Sequence, residues 1–220
     1  MSFKLNLHLQ QAFALPTHHI ISIQGEDSVV FLQSQLMNDV NSLSSGLWQY
    51  TGLLNPQGRV LALFQLAQIE SNHFLLILAS LDAQWLIQHL TRFVFRSKVV
   101  INYEQDYHVQ GQFFDAQASN DCAQTITGDA LTCYTLDIPD KNCTRKLLIS
   151  RTPTETQLQA IDQWHSLDMA MGWLWIDEKL QNLWTPQMLS LQELNAFSLK
   201  KGCYPGQEIV ARTHYLGKSK

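Results

Sequence analysis

The strongest constraint on this chain is the stretch "LWQYTGLLNPQGRVLALFQLAQIESNHFLLILA", residues 47–79. Three apolar runs are separated by two short polar breaks. Asn55-Pro56-Gln57-Gly58 has proline second and glycine fourth, the pattern of a type I turn. Glu70-Ser71-Asn72-His73 is the second break. Runs of this length joined this tightly predict an antiparallel meander. They are apolar at consecutive positions rather than alternate ones, so both faces of the sheet need cover.

The cover is legible on either side. "IQGEDSVVFLQSQLMNDV" offers Asp27 or Ser28 as N-cap. Val29, Leu32, Leu36 and Val40 follow on one helical face, widened by Phe31 and Met37. Asp82 caps a second helix to about Arg92, with Leu86, Leu90 and Phe93 on one side. "SKVVINY" reads as a returning strand. Residues 107–149 read as short strands with loops at "DAQASND" and "IPDKNC". Thr154 to about Met171 reads as a helix, and "TPQMLSLQELNAFSLKKGCYPGQ" as loops with helical turns. Strands in runs with helices interposed singly predict an α+β fold of antiparallel sheets and packed helices. The expected units are 1–105, 106–165 and 166–220.

At 220 residues, 45% hydrophobic and 15% charged, the composition is that of a globular chain. The net charge of −4 argues against the whole protein being a nucleic-acid binder. No apolar stretch is long enough to span a bilayer. The opening "MSFKLNLHLQ" alternates, unlike a signal peptide. Four cysteines (122, 133, 143 and 203) form no C-x-x-C pair, so neither a disulfide framework nor a zinc site is expected. These features predict a reducing, cytoplasmic compartment and no metal. Cys133 lies in an apolar run and reads as core.

Charge is uneven. From Lys200 onward there are five Lys/Arg (200, 201, 212, 218 and 220) and one acid, Glu208. Within this tail stands "KKGCYPGQEIVAR". Cys203 follows two lysines, and Gly206-Gln207-Glu208 can open a helix. Cations and a helix N-terminus both lower a thiol's pKa. Gly202 and Gly206 would let backbone N–H groups approach a ligand. On these grounds the stretch reads as a reactive thiol, an anion cradle or an ordinary surface loop. Trp164, Trp173 and Trp175 form an aromatic group, read either as core or as a stacking wall for a flat heteroaromatic ligand.

The tail "KGCYPGQEIVAR…HYLGKSK" resembles the signature of the YgfZ-type folate-binding proteins, relatives of the aminomethyltransferase (T-protein) of the glycine cleavage system. "GEDSVVFLQSQLMNDV", "LLNPQGRVLA", "FVFRSKVVI" and "TPQMLSLQELNAFSLKKGCYPGQE" resemble further family segments, so the likeness covers nearly all of the chain. There are departures. Asn195-Ala196 stand at the usual Gly-Gly, Pro205 at a common Thr, and Leu174 at the proline of a G-x-P step. Of two tryptophans associated with folate in the family, one aligns with His18 and the other with Trp164. The family continues into a C-terminal β-barrel, whereas this sequence ends at Lys220. The resemblance therefore implies a T-protein-like folate-binding fold without that barrel.

It also implies a function: binding of tetrahydrofolate or another reduced folate, in support of iron–sulfur enzymes that include tRNA-modifying ones. Cys203 is the implied functional thiol, with Lys201 raising its thiolate fraction or meeting an anionic group. Trp164, Gly202, Tyr204, Gly206, Gln207, Glu208 and Arg212 are the implied folate-binding residues. Expected partners are a folate and iron–sulfur proteins or their assembly machinery, with neither direct nucleic-acid contact nor a membrane. T-proteins carry an acidic pair after the first hairpin; here Ala62-Leu63 follow, and neither can orient or charge-stabilise a folate nitrogen. Aminomethyl transfer is thereby disfavoured. The alternatives are such a transferase, or an interaction protein that keeps only the fold.

Overall fold

The computed structural model describes residues 11–114, 124–130, 133–138 and 145–217. In chain order the elements are β1 (Ala12–Ala14), β2 (His18–Gln24), α1 (Ser28–Gln35), β3 (Leu47–Leu54), β4 (Val60–Glu70) and β5 (His73–Ala79). Then come α2 (Ala83–Thr91), β6 (Val100–Tyr103), β7 (His108–Phe113), β8 (Ile126–Gly128), β9 (Cys133–Ile138), β10 (Arg145–Ser150), α3 (Leu158–Met171) and α4 (Gln207–Leu216). The architecture is α+β, with two five-stranded antiparallel sheets ordered β3-β4-β5-β2-β6 and β1-β7-β10-β9-β8.

The meander forms as the apolar runs demand. Gly58 N–H donates to Asn55 O at 2.9 Å and closes the expected turn, with Gly58 at φ +70°. Both faces of β4 are buried because alternate residues serve different cores. Ala62, Phe64 and Leu66 join Ile21, Ile23, Leu76 and Leu78 in a core shared with Leu32 of α1 and with Leu86 and Leu90 of α2. Leu63 and Ala67 face the other way, toward Leu147 and Ile149 of β10, Phe113 of β7 and Trp164 of α3. This second core lies between the two sheets.

Asp82 caps α2 by accepting from Gln84 N–H at 2.9 Å. Asp27 stands at the N-cap of α1, but its carboxylate accepts from Lys98 N–H instead, at 2.7 Å. The apolar face expected to run from Val29 to Val40 is not one helix. Helix α1 stops at Gln35, Leu36 turns extended and bridges Leu53, and Val40 is buried in a separate 3-10 turn. The interruption has a tertiary cause, described below. Cys133 is half-buried at the start of β9 rather than enclosed in the core. Cys122, Cys143, Lys218 and Lys220 lie outside the described residues, as do most of the two loops expected at 115–121 and 138–143.

Candidate functional site

Two clusters of chemistry stand out. One is built on the tail motif. Lys201 is buried, and its Nζ donates to the carbonyls of Gln33 (2.6 Å), Leu36 (2.5 Å) and Asn38 (3.0 Å). The last carbonyls of a helix lack internal partners, and here an ammonium from 165 residues downstream meets them. That contact explains why α1 ends where it does. Burial pulls the Lys201 pKa down to about 8, with Asp39 opposing. Its three donors are spent on carbonyls, which makes the residue a tether.

The rest of the motif is held as firmly. The Tyr204 ring lies 5.0 Å from Lys201 Nζ, and its hydroxyl, pushed up to about 12 by burial, donates to Ser198 O at 3.4 Å. Gln207 Nε2 donates to Lys201 O at 3.0 Å. Gly206 caps α4 at φ +81°, and a Cβ there would fall 2.5 Å from Asn55 O and 2.7 Å from Gly58 Cα. The motif thus packs on the β3–β4 turn through a glycine–glycine contact. Gly202 differs: its φ is ordinary and a Cβ would meet nothing within 4 Å. Gly202 and Cys203 are exposed, and so are Glu208 and Arg212 of α4. The outcome is a free, exposed thiol on a backbone pinned at both ends.

The second cluster is a narrow pocket of about 10 Å³ between the sheets. His18, Tyr50, Trp164, Asp168 and Trp173 are among its walls. Arg145 and Asp168 form a buried ion pair at 2.5 Å. The guanidinium also lies 4.8 Å from the Trp164 ring and donates to Trp164 O at 3.3 Å. Burial raises the Asp168 carboxyl to about 6, against the pull of Arg145. Burial lowers His18 to about 3, helped by His165 and His19, so its ring is neutral at physiological pH. Tyr50 donates to Leu174 O at 2.6 Å.

Trp164 is therefore brought together with His18. Among the described residues, none of the motif from Lys200 to Arg212 lines this cavity. Arg145, Asp168 and Tyr50 were not singled out from the sequence. One signal existed: Ala160, Trp164 and Asp168 recur every four residues on one buried face of α3. A carboxylate on an apolar helical face calls for a buried partner. Among the described residues no group of three or more His, Cys, Asp or Glu is placed to hold a metal ion. No helix of the described residues is long and apolar enough to cross a membrane.

A family model described as the GCVT N-terminal domain matches residues 13–112. An uncharacterized protein of Haemophilus influenzae is 29% identical over 214 residues, covering 96% of this chain and 71% of its own length. The tRNA-modifying protein YgfZ of Colwellia psychrerythraea is 28% identical over 218 residues, covering 91% and 66% respectively. The chain is similar to YgfZ-type, T-protein-like proteins. The YgfZ protein of Sodalis glossinidius is 27% identical, with the same coverage as that of Colwellia. The chain thus spans about two thirds of the length of these relatives. The crystal structure of the glycine cleavage system aminomethyltransferase T from Bartonella henselae has the same fold, at a TM-score of 0.70 and 15% identity. That likeness covers 92% of this chain and 62% of the transferase.

Proposed function

We propose that this protein binds tetrahydrofolate or another reduced folate and serves tRNA modification as an accessory to iron–sulfur enzymes, with Cys203 as its functional thiol. The observation that carries the reading is the convergence of His18 and Trp164 on one aromatic-walled cavity with a carboxyl group, Asp168. These are the two positions that resemblance associates with folate. Aromatic walls suit a flat ring, and a buried carboxyl suits its N–H edge. The names of the YgfZ relatives support the tRNA part of the reading. As it stands the cavity has room for about one water, so a folate does not fit the closed form.

Aminomethyl transfer is the less favoured reading. Ala62 and Leu63 are both buried, on opposite faces of β4, and neither brings a carboxylate to a ligand. Equilibrium dialysis with 5-formyltetrahydrofolate tests the main reading. Saturable 1:1 binding is expected, weakened at least tenfold in Trp164→Ala. No uptake at millimolar folate by the wild type or by any variant that opens the cavity sinks it. Turnover with tetrahydrofolate and an aminomethyl donor would instead establish the transferase.

A further inference from the structure

The folate reading asks a bicyclic ring to enter a space that one water fills. The wall that differs from the others is Trp173. Tyr50 stands on β3 and Trp164 on α3, both held by regular backbone hydrogen bonds. Trp173, Leu174 and Trp175 belong to residues 173–177, which form neither helix nor strand. Segments without ladder hydrogen bonds open at lower free energy than the elements around them. This strap leaves α3 at Gly172, which sits at φ +75° with nothing within 4 Å of a built Cβ.

The Trp173 indole is nevertheless buried, among aromatic and charged groups. It lies parallel to the Tyr50 ring, 5.7 Å between centroids at 7°. Trp48 meets it edge-on at 5.7 Å and 82°. The Arg145 guanidinium lies 5.9 Å from its ring, and Asp168 shares the adjoining cavity. Trp173 N–H is tied to Asp168 O of α3 at 2.9 Å, and beyond it the strap is latched by the hydrogen bond from Tyr50 to Leu174 O.

We propose that the Trp173 indole is a built-in stand-in for a flat bicyclic heteroaromatic ring, and that such a ligand binds by lifting strap 173–177 and taking the indole's place. The incoming ring would lie against Tyr50 beneath Arg145, with its N–H edge toward the Asp168 carboxyl. This rests on the folate reading and makes the pterin head of a reduced folate the ligand. The closed form then reduces apparent affinity by the fraction of molecules with the strap open.

The test is dialysis with 5-formyltetrahydrofolate on wild type, Trp173→Ala and Tyr50→Phe, joined to amide hydrogen exchange of the wild type with and without ligand. Removing the stand-in should tighten binding at least tenfold. Removing the latch, with shape conserved, should tighten it about fivefold, the worth of one neutral hydrogen bond. Ligand should speed exchange at 174–176 and slow it along β3. Binding that is unchanged or weaker in both variants, or a strap that gains protection, makes Trp173 a fixed wall and overturns the proposal while leaving the folate reading intact. If Trp173→Ala does not fold, Tyr50→Phe and the wild-type exchange decide. If no folded protein of the set binds folate, the folate reading falls and the displacement model with it.

Discussion

Lys201 Nζ lies 2.5 Å from the carbonyl oxygen of Leu36, and through this contact the cysteine loop hangs from the end of α1. Two further carbonyls share the same ammonium. Lys201→Met keeps the apolar stem but orphans three acceptors. Each bond to a charged donor is worth about 1.5–3 kcal/mol, and the losses overlap. A fall of about 3 kcal/mol in unfolding free energy is expected by urea titration. Lys201→Arg should not restore it, because a planar guanidinium cannot point three donors at one converging set of carbonyls.

The two motif glycines should behave oppositely. Gly206→Ala forces a Cβ to within 2.5 Å of Asn55 O at a left-handed φ. About 2 kcal/mol or more should be lost. Gly202→Ala meets open space and should fall within about 0.5 kcal/mol of wild type. Paired thermal melts decide, and a Gly202→Ala penalty equal to that of Gly206→Ala would contradict this account.

Cys203 should be alkylated by iodoacetamide faster than Cys133. Cys203 is exposed, whereas Cys133 is half-buried and its thiol is pushed up by burial. Mass spectrometry of the labelled peptides gives the order. Cys203→Ala should leave stability within about 0.5 kcal/mol, because an exposed side chain contributes little burial.

Removing Asp168 strands the Arg145 charge in a core that excludes water. Asp168→Ala should cost about 3–5 kcal/mol, the usual consequence of breaking a buried pair from one side. Replacing both residues with apolar ones of similar volume should recover much of that loss. A double-mutant cycle measures the coupling.

Stability should decline as pH falls from 6.5. His18 is held down to about 3, and His19, His73, His89 and His165 are lowered, all chiefly by burial. The unfolded chain therefore binds protons that the folded chain refuses, which favours unfolding below the ordinary histidine range. Asp168 acts in the opposite sense between about 4 and 6, where the folded state holds the extra proton. His18→Gln should flatten the slope of unfolding free energy against pH below 6.5. An unchanged slope would place the titrating groups elsewhere.

The sequence by itself determined the meander, its turn and the cap at Asp82, because these depend on neighbours within a few residues. It also carried the family likeness and marked Trp164 and the Cys203 loop. What it did not contain locally was the meeting of distant parts. The early end of α1 depends on an ammonium 165 residues away, so helical periodicity ran past it to Val40. Lys201 read as the electrostatic partner of the thiol, yet its side chain is drawn to orphaned carbonyls that only the packed fold brings near. Arg145 and Asp168 sit in a strand and a helix that each look complete alone. Only closure of the second core puts their charges together and, with Trp173, shapes the cavity. Local pattern is set by short-range sterics and hydrogen bonding, whereas desolvated charges choose partners by distance in the finished fold.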